Sequence, residues 1–250
     1  MFAPLLPSSL KAFVCVSGKR KSGKDFLTLK LASALANHFP DFDVSICSLS
    51  NPLKDEFACL RGIDAARLKG DGPEKERVRK EMIEFGENLR AEDSAYFCRK
   101  AFAQRLTIHK SADDSSNAEI VLVSDCRRPS DIAFFRRLFP TSVVLHLRVL
   151  CSLPTRQKRG FIFRSGVDDA ESECALDEAE WDIVVENEEE EEKNGGKELE
   201  RRIGEIVTEL GTRMRKMTPR KANREGNWLN ETKRTENTKN CRLKLHFPFV

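Results

Sequence analysis

The sequence predicts an α/β fold, a parallel sheet with helices on both of its faces. Two observations carry that prediction. Short apolar runs alternate with longer segments of helical spacing, and a glycine-bearing basic loop joins the first run to the first helix. Strands separated by helical crossovers pair in parallel and bury both faces.

The elements are read in chain order. Lys11–Val16 reads as a short buried strand. Phe26–Phe39 carries Leu27, Leu31, Ala34 and Leu35 at helical spacing. Asp43–Leu49 is a second strand. Residues 74–110 are charge-rich and helical, with Val78, Met82, Phe85 and Leu89 on one stripe that suits core packing. Ile120–Ser124 is a strand, and Pro129–Phe139 is a helix with Pro in its first turn. Val143–Val149 is a further strand. Residues 154–180 are irregular and charged. Trp181–Val185 is a last short strand, and Leu199–Leu210 a last amphipathic helix. In folds of this kind ligands bind beyond the carboxyl ends of the strands. The segments to watch are therefore Ser17–Asp25, Ser48–Lys54, Ser124–Arg128, Arg148–Arg159 and Asn187.

Composition narrows the classes. The chain of 250 residues is 40% apolar with sixteen Phe, enough for a core. A mean hydropathy of -0.48 and the absence of a long apolar run argue against a transmembrane helix. The N-terminus lacks the charged region of a signal peptide. Eight Cys are scattered without a CxxC pair, a usage that fits the reducing cytosol better than zinc or disulfide chemistry. The net charge is +3, but residues 218–250 hold eight Lys/Arg against three Glu, or +5, which leaves -2 for residues 1–217. A nucleic-acid-binding domain would show a basic surplus in its folded part. The expected organisation is one domain over 1–217 and a disordered basic tail over 218–250. The five consecutive Glu at 188–192 read as a solvated loop.

Gly18-Lys19-Arg20-Lys21-Ser22-Gly23-Lys24 fits the phosphate-binding pattern GxxxxGK. Glycines let the backbone curl so that successive N–H groups face phosphate oxygens at the positive end of a helix, and the Lys reaches the β- and γ-phosphates. The pattern follows a strand and opens a helix, which is the context it requires. Ser or Thr usually follows the Lys as a magnesium ligand, whereas here the residue is Asp25. A carboxylate is also a hard oxygen ligand, so Asp25 either contacts a metal, directly or through water, or caps the helix or pairs with a neighbouring cation. Asp125 follows a buried strand, where such enzymes place a magnesium- or phosphate-side carboxylate; it could instead be a turn aspartate that orients nearby arginines. Arg127 and Arg128 beside it suit bidentate recognition of phosphate. Arg156 and Arg159 share one helical face, and Arg148 lies at or past a strand end; the three could also form a solvated basic face.

SGKRKSGKDF (17–26), VSDCRRPSDI (123–132) and GVDDAESECALD (166–177) together resemble the animal-type phosphomevalonate kinases. RKEMI, FGENLRAEDSAYFCRK and WDIVVEN fit the same family, and the resemblance runs over residues 12–210. The family carries Asp after the loop Lys. The resemblance implies a P-loop fold like that of the nucleoside monophosphate kinases, with a mobile lid at about 154–180. It implies ATP- and Mg²⁺-dependent phosphorylation of (R)-5-phosphomevalonate to (R)-5-diphosphomevalonate in isoprenoid and sterol synthesis. Carried over by position, Lys19, Arg20, Lys21, Ser22, Gly23, Lys24 and Asp25 would bind ATP together with Arg159. Lys24, Arg20, Arg127 and Arg128 would serve catalysis, and Asp25 and Asp125 would lie on the metal side. Arg79, Arg90, Arg99 and Asn187 would contact the acceptor, and Arg148, Arg156 and Arg159 would belong to the lid. The family often has His after that Asn; here Glu188 opens the acidic run, and an anion there could weaken nucleotide binding.

The expected partners are small-molecule substrates alone, with no nucleic acid and no membrane, and the expected state is a monomer. Another small-molecule or nucleoside monophosphate kinase on the same fold is the alternative. A nucleotide-binding switch without turnover fits the intact Lys24 and the paired arginines less well.

Overall fold

The computed structural model describes residues 9–70, 72–109, 117–188 and 195–217. The expected tail 218–250 and the acidic run from 189 onward lie outside these residues. Five strands form one wholly parallel sheet in the order β2-β3-β1-β4-β5. They are β1 (Leu10–Gly18), β2 (Phe42–Cys47), β3 (Ala118–Val123), β4 (Val143–Leu150) and β5 (Ile183–Glu186). Nine helices occur among the described residues: α1 (Lys24–His38), α2 (Ser50–Arg61), α3 (Ala65–Lys69), α4 (Pro73–Glu92), α5 (Tyr96–His109), α6 (Pro129–Leu138), α7 (Leu153–Lys158), α8 (Glu171–Cys174) and α9 (Gly195–Met217).

Alternation along the strands builds the two core layers. Ala12, Val14 and Val16 of β1 and Leu145, Leu147 and Val149 of β4 face Leu27, Leu31 and Leu35 of α1 and Ile203, Ile206 and Leu210 of α9. On the other face Phe13 and Cys15 meet Cys98 and Phe102 of α5 and Ile132 and Phe135 of α6. Phe13 lies 4.4 Å from the Phe139 ring and 5.0 Å from that of Phe135. A third, smaller cluster of Phe57, Ala58, Leu68 and Met82 holds α2, α3 and α4 together.

Several boundaries differ from the sequence reading. The charged stretch 74–110 is two helices broken at Asp93, whose carboxylate accepts the Ala95 N–H at 3.1 Å. On the 78/82/85/89 stripe Met82 is buried, while Val78 and Phe85 pack at the edge of the third cluster. Segment 154–180 contains α7 and α8 rather than being wholly irregular. The last strand starts at Ile183, because Trp181 turns aside to pack on His146 at 4.2 Å. The last helix runs on to Met217. No described helix is long and apolar enough to cross a membrane.

Candidate active site

The site begins where β1 ends. Gly18 pairs with Val149 of the neighbouring strand, and the chain then turns back through Ser22, whose N–H donates to the Lys19 carbonyl at 3.1 Å. Lys21 and Gly23 take positive φ of 64° and 84°, which directs the turn into α1. A side chain at either loop glycine would force its neighbours to shift. A Cβ on Gly18 would come within 2.6 Å of Ser22 Oγ, and one on Gly23 within 2.2 Å of Asn187 Nδ2. Lys24 is the first helical residue, so the orphan N–H groups of α1 and its ammonium point the same way. Its Nζ lies 3.0 Å from Asp25 Oδ1, and the Asp25 side chain is 77% exposed.

At Lys24 and Asp25 the end of this loop borders a cavity of about 460 Å³. α2, α4 and the turn after β3 form its other walls. Lys24, Arg79, Arg90, Arg127 and Arg128 line it, as do Lys54, Lys69 and Lys75. Its carboxylates are Asp25, Glu87, Asp125 and Glu173, so cations outnumber anions two to one. Leu53, Met82 and Ile83 add an apolar patch. Burial drives Lys54 down to about 8, and the charges of Lys75, Lys24 and Arg127 add to that against the opposing Asp125. Such a site is unfavourable when empty and favourable when filled by an anion.

Two buried carboxylates arrange these cations. Asp131, at the third position of α6, is wholly buried. Its Oδ2 accepts the backbone N–H of Arg127 at 2.9 Å and of Arg128 at 3.1 Å, and its Oδ1 accepts from Arg90 NH1 at 2.8 Å. One carboxylate thereby ties the turn after β3 to α4. Asp125 accepts from Leu49 N at 2.6 Å, Ser50 N at 3.0 Å and Ser48 Oγ at 2.9 Å, so it caps the start of α2. Burial would raise its pKa, but hydrogen bonding from Ser50 and Leu49 and the charges of Lys24 and Arg127 hold it below the usual carboxylate range.

The segment after α7 folds against the loop. Arg20 makes a bidentate pair with Asp168, through Nε at 2.9 Å and NH2 at 2.7 Å, and this bond raises its pKa. Arg156 donates to the Arg20 carbonyl at 2.9 Å, and both guanidinium groups face the Phe161 ring, at 3.9 Å for Arg156 and 4.9 Å for Arg20. Arg127 pairs with Glu173, and Arg128 with Glu87 and Glu171. Lys19 bonds Asp177 at 2.6 Å.

Three expected site residues are placed elsewhere. Arg99 points away from the cavity and pairs with Asp93, because the helix break at Asp93 turns its face outward. Arg148 is not in segment 154–180. It is a buried residue of β4 that bonds Asp177 at 2.8 Å and stacks on Trp181 at 4.9 Å. Asn187 does not line this cavity: its Nδ2 donates to the Ser22 carbonyl at 2.8 Å, beside Arg159 NH1 at 3.2 Å, and the two hold the glycine loop from behind. Glu188 turns to α7, where it accepts from Ser152 Oγ at 2.7 Å and Thr155 Oγ1 at 2.5 Å. Those hydrogen bonds lower its pKa, so its charge serves as a helix cap.

Lys54 and Asp131 were missed at the level of single residues. Lys54 ends a segment that the strand-end rule flags, and Asp131 stands three residues after Arg128 with Pro129 between, a spacing that suits a helix start.

Comparison with known proteins adds an independent line. The model of the family described as "Phosphomevalonate kinase" matches residues 16–141. Among solved structures, a gluconokinase from Sinorhizobium meliloti 1021 is 14% identical, covering 81% of this chain and 97% of its own, with a TM-score of 0.42. TT1252 from Thermus thermophilus is 15% identical, covering 80% and 98%, with a TM-score of 0.41. A Drosophila melanogaster protein named phosphomevalonate kinase is 38% identical over 179 residues, which is 71% of this chain and 88% of that one. On the family match and this identity, sustained over most of both sequences, the chain belongs to the phosphomevalonate kinase family.

Proposed function

We propose that this chain transfers the γ-phosphoryl group of ATP to the phosphate of (R)-5-phosphomevalonate, giving ADP and (R)-5-diphosphomevalonate on the route to isoprenoids and sterols. The observation that carries this reading is the cavity in which Lys24, the residue that closes the glycine loop, meets Arg79, Arg90, Arg127, Arg128 and Lys54. Two polyanions must approach within bonding distance, and their repulsion is the principal barrier. An acceptor phosphate monoester has a second pKa near 6, so it is already dianionic at pH 7. No side chain need remove a proton, and the task of the protein is positioning and charge stabilisation.

In this reading the loop N–H groups and Lys24 hold the nucleotide phosphates. Lys24 and Arg127 stabilise the charge that spreads over the moving phosphoryl oxygens. Arg79, Arg90 and Lys54 hold the acceptor's phosphate and carboxylate, and Leu53 and Met82 pack against its aliphatic body. Asp131 keeps Arg90 and the 127–128 turn in register. The exposed carboxylate of Asp25 fits Mg²⁺, an ion that keeps several waters and takes one or two carboxylates besides substrate phosphates. Asp125 would act on it only through water, since its oxygens already accept from Ser48, Leu49 and Ser50. Bound Mg²⁺ would neutralise charge on the phosphate oxygens. Segment 154–180 serves as the lid, with Arg156 and Arg159 on the nucleotide side. The seven described cysteines are free thiols, which supports a cytosolic setting. The test is ADP release with phosphomevalonate, set against nucleoside monophosphates and unphosphorylated mevalonate.

A further inference from the structure

Glu76 lies where three segments meet. It stands in the first turn of α4, three residues before Arg79, and its Oε1 accepts from Arg79 Nε at 3.0 Å. Its Oε2 accepts from Arg164 NH1 at 2.8 Å, a residue of the segment after α7. Arg20 of the glycine loop is 3.9 Å from the same oxygen. Burial pushes its pKa up, but the Arg79 hydrogen bond and the charges of Arg79, Arg164 and Arg20 more than reverse that, and the carboxylate stays ionised.

The location makes this carboxylate costly. It lines a second cavity of about 460 Å³ together with Lys24, Arg79, Arg127, Arg159 and Arg164. An unscreened anion there repels incoming phosphate. Holding Arg79 alone would not explain the contact with Arg164, and Arg164 is tied to the loop a second way: its backbone N–H donates at 2.8 Å to Asp168, the partner of Arg20.

We infer that Glu76 is a positioning residue that couples the two substrate sites, an inference that rests on the functional reading above. Through Arg79 it aims a cation at the acceptor. Through Arg164 it pins the segment that packs on the nucleotide loop. An acceptor phosphate that draws on Arg79 frees Oε1, and the carboxylate then holds Arg164 and Arg20 more firmly. Each substrate thereby favours the arrangement that receives the other. Coupling of this kind needs an element that both sites bias, and Glu76 with Arg164 forms it.

The test is calorimetric binding of the non-hydrolysable ATP analogue adenylyl imidodiphosphate, with and without saturating phosphomevalonate. In the native enzyme phosphomevalonate should tighten analogue binding by about tenfold, within the usual range for linked sites. In Glu76→Gln the factor should fall below about twofold. Arg164→Gln, at an exposed side chain, should lose it as well and serves if Glu76→Gln fails to fold. A Glu76→Gln enzyme, or failing that an Arg164→Gln enzyme, with the native factor would overturn the proposal, as would a native enzyme with no coupling. Turnover measured on the same preparations separates the two ideas. Native turnover with unchanged coupling in the variants contradicts this inference alone, whereas no native turnover contradicts the functional reading and this one with it.

Discussion

Lys24 and Lys54 line the same cavity, and the proposed reaction assigns them different parts. Lys24 opens α1 beside the loop N–H groups, where in the proposed reaction charge builds up on the transferring group. Lys24→Met should therefore lower kcat by about a hundredfold or more, as losses of preorganised donors do. The KM for the acceptor should change much less, and steady-state kinetics with each substrate varied will show the split. Lys54 sits among cations with a pKa near 8, so it is charged at pH 7 and largely neutral at pH 9. The free enzyme should consequently lose kcat/KM for phosphomevalonate as the pH rises through about 8, since that ratio reports free-enzyme ionisations. Lys54→Arg, which stays charged, should remove this limb; a pH profile unchanged by that substitution would take Lys54 out of acceptor binding. Only the first of these roles is visible in a string of residues. Lys24 is legible because its chemistry depends on local spacing, whereas the shift on Lys54 comes first from burial and then from the charges of Lys75, Lys24 and Arg127 acting against Asp125, surroundings that only the fold assembles.

At the scale of elements, the loop between β1 and α1 depends on a strand end far away in sequence. Asn187, just past β5, and Arg159, at the end of α7, both donate to the Ser22 carbonyl over Gly23. Asn187→Ala should therefore raise the KM for ATP more than that for the acceptor. Gly23→Ala should be more damaging, because it forces a Cβ into φ 84° and onto the Asn187 side chain. Nucleotide binding measured by calorimetry checks both, and an effect of Asn187→Ala confined to the acceptor would restore the role the sequence suggested. The strands and the glycine loop were legible because alternation and local backbone needs are written in adjacent residues. The break between α4 and α5 was not, since Asp93 ends the helix through one local hydrogen bond inside a continuous charged pattern. That break turns Arg99 outward while Arg90, a few residues earlier, stays in the cavity.

For the whole molecule, the parallel order β2-β3-β1-β4-β5 places every strand's carboxyl end on one edge. The glycine loop, the Asp125–Arg128 turn and the Asn187 turn all leave from that edge. The helices α2–α4 are inserted after β2 and supply the opposite, cation-bearing wall. This arrangement follows from the right-handed, buried crossovers that parallel strands require. The identity of the acceptor was legible only through the family resemblance, because no single motif in the sequence encodes it. The most direct test of the central claim is a coupled ADP-release assay on the purified chain with ATP and Mg²⁺. Rapid turnover with (R)-5-phosphomevalonate, and little with AMP, UMP or mevalonate, is the predicted result. Turnover of a nucleoside monophosphate equal to or faster than that of phosphomevalonate would contradict it.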